Sequence, residues 1–351
     1  MNVLLIIDHA PDYRESFLRE LSKYVNLTVG AQPCEQEQLL PPDDRVGYDY
    51  YEFPSISFKG FIWQSGLGSL LYKKKWDIIC FDLNLRHLNR IAIFLKEKKN
   101  WDKWIWWGHI IGKNKSNILD NVRRYLLTRS AGCLTYNEEI VEQLRTRYGI
   151  DAYSFNNTQV LQNEFRHGVF TEHPEIRLLF VGRYQTRKRL ERLILLASRR
   201  SDIHVRLIGP GMDQLKLENR LLDFGRFEIF PRISGEDLNS HFDWADIIAN
   251  PGHVGLLVMN AAKHGKGIVI DSKSLHAPEY LLAKESEQPF INFSDDKEVD
   301  KFIDEIIKDR AVIHNYGKQL QEVAIRKYTI EAMANTHYSL FRTILNTTHT
   351  S

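Results

Sequence analysis

A strand-like apolar run ends in Val181-Gly182-Arg183-Tyr184-Gln185-Thr186-Arg187-Lys188. The glycine lets the backbone turn, and Arg183 and Lys188 follow as two cations five positions apart. Converging above a sheet edge, they suit a diphosphate. The other reading of the same residues is a solvated basic turn. A second segment, Asn250-Pro251-Gly252-His253-Val254-Gly255-Leu256, runs from a strand through a Pro-Gly turn into a small-residue helix. Unpaired amides and the positive end of a helix dipole make such a turn an anion site without any charged side chain. Asn260, two helical turns beyond Gly252, can bond a ribose or sugar hydroxyl, or equally a neighbouring helix. No Asp-x-Asp pair with a metal-binding look stands at a strand end: Asp295-Asp296 falls in a loop and Asp243 to Asp246 in a helix-to-strand turn. Cations on the diphosphate can replace Mg²⁺, so chemistry without metal or other cofactor is expected. Spacing supports neither a His/Cys zinc cluster nor a Ser-His-Asp arrangement.

The elements that must position these residues follow an alternating pattern. Asn2 to Ile7, Leu27–Gly30, Trp76–Phe81, Lys103–Trp107 and Gly132–Tyr136 are short β-rich apolar runs, the signature of strands covered on both faces. Helical spacing separates them at Arg14 to Tyr24, Leu85 to Leu95 and Glu138–Tyr148. After a polar linker near 164–175 the pattern restarts, with strands at Arg177–Val181, His204–Ile208, Phe227–Phe230, Asp246–Ala249 and Gly267–Ile270. Helices are expected between them, including Asp213–Leu222 and one from about Val254 to His264. The fold class is α/β, with a parallel doubly wound sheet in each domain. The expected domains span 1–165 and 170–329, with a last helix, about 330–351, packing back on the first.

The order Gly182-Arg183-(four residues)-Lys188, Gly209-Pro210-Gly211, Trp244-Ala245-Asp246 and Pro251-Gly252-His253-Val254-Gly255-Leu256 resembles the retaining glycosyltransferases of glycosyltransferase family 4. The resemblance covers the C-terminal domain well and the N-terminal domain loosely. It implies the GT-B fold, two Rossmann-like domains facing across a cleft. In that family the Arg and Lys bind the donor's diphosphate, which would make Arg183 and Lys188 the phosphate clamps beside Gly182. The family's turn usually reads Glu-Gly-Phe-Gly-Leu, with a second glutamate eight residues after the first. Gly252 and Asn260 stand at those places, so both carboxylates are missing, while the Gly255 and Leu256 amides remain for a phosphate. His276-Ala277-Pro278-Glu279-Tyr280 is similar to a His-x-Pro-Glu segment in one branch of the family, which implies that Glu279 takes over part of the missing duty. His109, after Trp106-Trp107-Gly108, stands where members often carry a His near the anomeric carbon; otherwise it is a structural histidine. Tyr13 and Arg14 follow the first strand where relatives form the acceptor loop. Arg14 there meets an acceptor phosphate or caps the sheet.

The resemblance implies sugar transfer from a nucleotide sugar to a lipid-linked or surface-polysaccharide glycan, including lipopolysaccharide. The missing glutamates motivate the alternative, a non-catalytic nucleotide-sugar-binding or scaffold protein. A GT-B epimerase would need an acid/base carboxylate pair that the sequence does not offer.

A net charge of +2 over 351 residues gives no reason to expect a nucleic-acid partner. The charge is nevertheless uneven. From Lys73 to Arg129 fourteen Lys and Arg face five Asp and Glu, a local +9 that leaves −7 elsewhere. Five of seven tryptophans (Trp76, Trp101, Trp104, Trp106, Trp107) share that window. Basic residues interleaved with Trp suit an anionic membrane surface; the other reading is a buried strand flanked by solvated lysines. Three cysteines without metal-ligand spacing suit a reducing compartment. No apolar run approaches the ~18–20 residues of a membrane span, and the opening apolar run breaks at Asp8 as a buried strand would. A cytoplasmic protein is expected, peripheral on the inner face of the cell membrane.

Overall fold

The computed structural model describes residues 1–34, 39–111, 117–215 and 226–350. The chain forms two α/β units, one from residues 1–159 together with the last helix, the other from residues 160–329. In the first unit the strands are β1 (Asn2–His9), β2 (Asn26–Gln32), β3 (Asp49–Glu52), β4 (Ser55–Phe58), β5 (Phe61–Gln64), β6 (Ile78–Asp82), β7 (Trp104–Gly108), β8 (Gly132–Thr135) and β9 (Tyr153–Ser154). Seven of them make a parallel sheet in the order β3-β2-β1-β6-β7-β8-β9, while β4 and β5 pair as an antiparallel hairpin. In the second unit β10 (Ile176–Val181), β11 (Ile203–Ile208), β12 (Phe227–Phe230), β13 (Ile247–Asn250), β14 (Ile268–Asp271) and β15 (Phe290–Ile291) form a parallel sheet ordered β12-β11-β10-β13-β14-β15.

In both sheets the chain winds outward from the first strand, returns, and winds out the other way. The strand order therefore reverses beside β1 and beside β10. Loops leaving the carboxyl ends of adjacent strands diverge at such a point and open a crevice. The strands between covering helices are apolar on both faces, as in β1, where Val3 to Ile7 are all buried.

The structure moves several expected boundaries. The helix expected from Val254 begins only at Leu257, because the Val254 amide is taken by a side chain instead of opening a helical turn. The helix expected over Asp213–Leu222 is a 3₁₀ turn at Met212–Gln214, and residues 216–222 lie outside the described residues. The 164–175 stretch is fastened to the second unit: the Arg166 amide donates to the Lys263 carbonyl (2.7 Å), and buried Lys266 donates to the carbonyls of Val169 and Ala245. The last helix, Ile330–Thr350, packs on the helix Asp12–Ser22, and its buried His337 accepts a bond from Trp107 Nε1 (2.9 Å).

Four tryptophans of the basic window, Trp76, Trp104, Trp106 and Trp107, are core residues, at most 3% exposed. Trp101 stacks on Phe94 with ring centroids 5.1 Å apart. Their position corrects the reading of these rings as membrane-facing: they are packed into the unit, and the exposed charge of the window is carried by lysines and by Arg86, Arg124 and Arg129. Lys113 and Lys115 lie outside the described residues.

At the reversal point of the first sheet one buried guanidinium holds several elements. Arg90 pairs with Asp8 (2.8 Å) and donates to Gln64 Oε1 (2.8 Å), the Asp82 carbonyl (3.2 Å) and the Ile7 carbonyl (3.2 Å). Removing it strands a carboxylate and three acceptors. Arg90→Ala is expected to destabilise the first unit by about 3 kcal/mol, read as a lowered midpoint in urea unfolding.

Candidate functional site

The second unit gathers most of the sequence-derived residues at the reversal of its sheet. Gly182 follows β10 and Gly209 follows β11, and the two glycines touch. A Cβ on Gly209 would lie 2.1 Å from the Gly182 carbonyl oxygen, so no other residue fits there. The Gly182 amide donates to Ile208 (2.8 Å) and the Tyr184 amide to Pro210 (2.9 Å). This joint sets the direction in which Arg183 leaves the sheet, into solvent.

Lys188 closes a 3₁₀ turn, Thr186–Lys188. The turn is pinned from below by Arg189, which adopts a left-handed conformation (φ 56°) and pairs with buried Asp271 at 3.4 Å. It is pinned from the side by the loop after β13. The His253 amide donates to the Arg187 carbonyl (2.9 Å), and a Cβ on Gly252 would stand 2.3 Å from that same oxygen. Gly252 is therefore a packing requirement of the Lys188 turn. The glutamate usual at this place in the resembled family would collide with main chain.

Burial and the nearby Arg187 push the Lys188 ammonium down to about 8, with Arg183 acting in the same direction and Glu279 opposing both. Among the described residues nothing accepts a hydrogen bond from Lys188 or Arg183, and neither has an ion-pair partner. Positive charge held in a buried place, as on Lys188 above the Phe180 ring (5.9 Å), is a feature that can take an anion.

Glu279 is 91 positions away in sequence and reaches this neighbourhood through His276. The Val254 amide donates to His276 Nδ1 (3.2 Å), and His276 Nε2 donates to the Asp271 carbonyl (2.9 Å). That pattern takes a neutral ring, and burial lowers the His276 pKa accordingly. The Ala277 amide returns a bond to the Val254 carbonyl (2.9 Å). His253 donates from Nδ1 to the Leu275 carbonyl (2.6 Å), and burial pushes its pKa down to about 4. The Gly255 and Leu256 amides have no acceptor among the described residues. Asn260 lies half-buried on the short helix Leu257–Lys263, its carbonyl accepting from His264 Nδ1 (2.8 Å).

The first unit brings Tyr13, Arg14 and His109 together around Tyr136. The His109 and Tyr136 rings lie 4.3 Å apart, and the Arg14 guanidinium stands 5.3 Å from Trp107, 5.8 Å from Tyr13 and 6.0 Å from Tyr136. Arg14 is buried and donates to Asn157 Oδ1 (2.7 Å), so its charge serves this cluster. His109 itself is exposed.

Sequence reading missed the polar cavity beside it. About 340 Å³ in volume, the cavity is lined by Asp8, His9, Gln32, Asn84, Arg86 and His87, with Ser55, Ser57 and Ile62 from the hairpin. His87 Nε2 lies 3.0 Å from Asp8. Burial works against the Asp8 charge, but Arg90 and His87 hold its carboxyl well below the usual range. Neighbouring Asp82 is pushed well above it by burial and by the Asp8 charge. The available signal was an aspartate ending each of two central strands. Among the described residues no group of three or more His, Cys, Asp or Glu is arranged to hold a metal ion.

Residues 162–323 match the family model described as Glycosyl transferases group 1. No curated protein matches the sequence. Among solved structures, sucrose-phosphate synthase from Thermosynechococcus elongatus is similar at TM-score 0.73 and 14% identity, over 99% of this chain and 100% of that one. A glycosyltransferase from Rickettsia africae is similar at TM-score 0.72 and 13% identity, over 98% of both chains. HepE from Anabaena, crystallised with UDP, is similar at TM-score 0.64 and 14% identity over the full length of both. The fold is GT-B. The family match, a little under half the chain, supports sugar transfer.

The Lys188 ammonium is charged below about pH 8 and loses its proton above it. Its contribution to anion binding is thus present at neutral pH and lost as pH rises. Pyrophosphate affinity, measured by calorimetry, should fall across pH 8 to 10, the midpoint moving upward as bound anion holds the proton. Lys188→Met should weaken binding at pH 7 by about tenfold or more and flatten this dependence.

Proposed function

We propose that the protein is a glycosyltransferase that moves a sugar from a nucleotide-sugar donor to a glycan or lipid-linked glycan acceptor, retaining and independent of metal. The observation that carries this reading is the pair Arg183 and Lys188, two cations with no hydrogen-bond or salt-bridge partner among the described residues, beside Gly182 and the Gly252–Leu256 loop. HepE was crystallised with UDP on the same fold, which supports a uridine diphosphate donor here.

In this reading the acceptor hydroxyl attacks the anomeric carbon as the bond to the diphosphate breaks. Charge then grows on the leaving phosphate, where Arg183, Lys188 and the Gly255 and Leu256 amides stabilise it more than in the ground state. The family resemblance gives His109 a role near the reacting carbon. Glu279, close enough to Lys188 to support its charge, takes the donor-sugar duty that Gly252 and Asn260 do not supply as carboxylates; Asn260 bonds a ribose or sugar hydroxyl. Tyr13 belongs to the acceptor side, with Arg14 holding the aromatic cluster behind it. The reading includes action in the cytoplasm, peripheral on the inner face of the cell membrane, where a lipid-linked acceptor lies. No helix among the described residues is long and apolar enough to cross a membrane.

Arg183→Ala and Lys188→Ala are each expected to lower kcat/KM at least ~10²-fold with the fold intact. The loss of one charge-assisted contact to a developing diphosphate corresponds to about 2–4 kcal/mol. A scan of UDP-, GDP- and dTDP-sugars supplies the donor, and near-normal turnover in both variants would place the phosphates elsewhere. Donor binding by the wild type without transfer to any glycan would instead favour a scaffold.

Transfer is expected to persist in excess EDTA, because the two cations occupy the role of a bridging divalent ion. Loss of turnover that Mg²⁺ or Mn²⁺ restores would overturn that expectation.

A further inference from the structure

The β4–β5 hairpin has two unlike faces. Its register sets Ile56 opposite Trp63 and Phe58 opposite Phe61, so all four point the same way. They are 67%, 53%, 70% and 48% exposed in that order. The other face turns Ser55, Ser57 and Ile62 to the polar cavity. Four large apolar side chains on so small a sheet far exceed what an isolated surface hydrophobe explains.

The hairpin is held at its base. The Ile62 amide donates to the Arg86 carbonyl (2.7 Å), Arg86 Nε to the Gly60 carbonyl (2.6 Å), and Asn89 Nδ2 to the Gln64 carbonyl (2.7 Å). Its turn, Lys59-Gly60, carries φ of 48° and 84°, the left-handed pair of a tight hairpin. Beside Trp63 lies a hollow of about 310 Å³ with Ala92 and Ile93 in its wall and Lys96 among its lining residues.

The charge around this face has one sign. No Asp or Glu occurs between Glu52 and Asp77, a stretch holding Lys59, Lys73, Lys74 and Lys75, nor between Asp82 and Glu97, which holds Arg86, Arg90 and Lys96. Lys74 is partly spent on Asp49 (3.7 Å) and Arg90 on Asp8, which leaves Lys59, Lys75, Arg86 and Lys96 exposed.

We propose that the apolar face of the β4–β5 hairpin docks the first unit on an anionic lipid bilayer. Aromatic and aliphatic side chains enter the interface while Lys59 and Lys96 meet lipid phosphates. The polar cavity then lies on the opposite face of the same hairpin, a short reach from the membrane surface. The proposal deepens the acceptor side of the proposed function and rests on it for its purpose, not for its test.

The test is co-sedimentation with phosphatidylcholine vesicles with and without phosphatidylglycerol, using wild type, the double variant Phe58→Ser/Trp63→Ser and the double variant Lys59→Gln/Lys96→Gln. Wild type should pellet with anionic vesicles and release as salt shortens the Debye length from about 30 Å toward about 8 Å. Its fluorescence should shift to the blue, since Trp63 is the one exposed tryptophan. Both variants should bind at least ~10-fold more weakly and melt at the wild-type temperature. Negligible wild-type pelleting, or variants that pellet equally, would overturn the proposal. So would a wild-type dimer in sedimentation velocity that Phe58→Ser/Trp63→Ser abolishes while no vesicle binding is seen; the face would then belong to a second copy. UDP binding is measured in the same samples. Its absence would count against the transferase reading and leave the vesicle result standing.

Discussion

The contact of the Arg187–Lys188 main chain with Gly252 constrains the candidate site of the second unit. It joins the loop after β10 to the loop after β13 across the point where the sheet reverses. Because backbone meets backbone there, Lys188 is held in place by groups that no rotamer change can move. The same closeness excludes a side chain at position 252. The carboxylate of this neighbourhood consequently comes from Glu279, delivered by a segment that His276 and Ala277 stitch to Val254. A change of one residue in the turn thus goes with a change in which segment supplies negative charge.

The first unit solves a related problem with opposite charges. Asp8 and Asp82 end adjacent central strands, and two carboxylates so close cannot both ionise cheaply. Arg90 and His87 favour the charge on Asp8, and burial disfavours it on Asp82. The charge of the pair is thus favoured on Asp8 and disfavoured on Asp82. Near this pair the buried Arg14 lies against the Trp107 and Tyr136 rings and donates to Asn157.

Strands buried on both faces were legible because their apolar runs are continuous, and the helix Glu138–Tyr148 because its periodicity is bracketed by Asn137 and Gly149. The hairpin was passed over although Ser55 to Phe58 alternates cleanly and is followed by a Lys-Gly turn. The period is two, but its apolar side faces outward, where a core-seeking reading does not look. The tryptophans of the basic window misled for the converse reason. Local charge is a property of sequence, whereas Trp104 and Trp106 are buried against Phe94, and Trp106 also bonds the Leu126 carbonyl, from the helices before and after their strand. In the candidate site, Arg183 and Lys188 announced themselves by spacing. The Asp8–His87–Arg90 group did not, since its members come from a strand end and a helix some eighty residues later.

The last helix belongs to the unit that begins the chain, and its His337 fills the space between Trp107, Phe17 and Phe155. The second unit is therefore an insertion in the first. As the chain leaves a ribosome, residues 160–329 can close their own core while the β7 face of the earlier sheet still lacks its cover. Order of synthesis and order of completion are reversed: the unit begun first is finished last. Until residue 337 arrives, the Trp107 indole lacks the ring nitrogen that accepts its hydrogen bond in the finished protein.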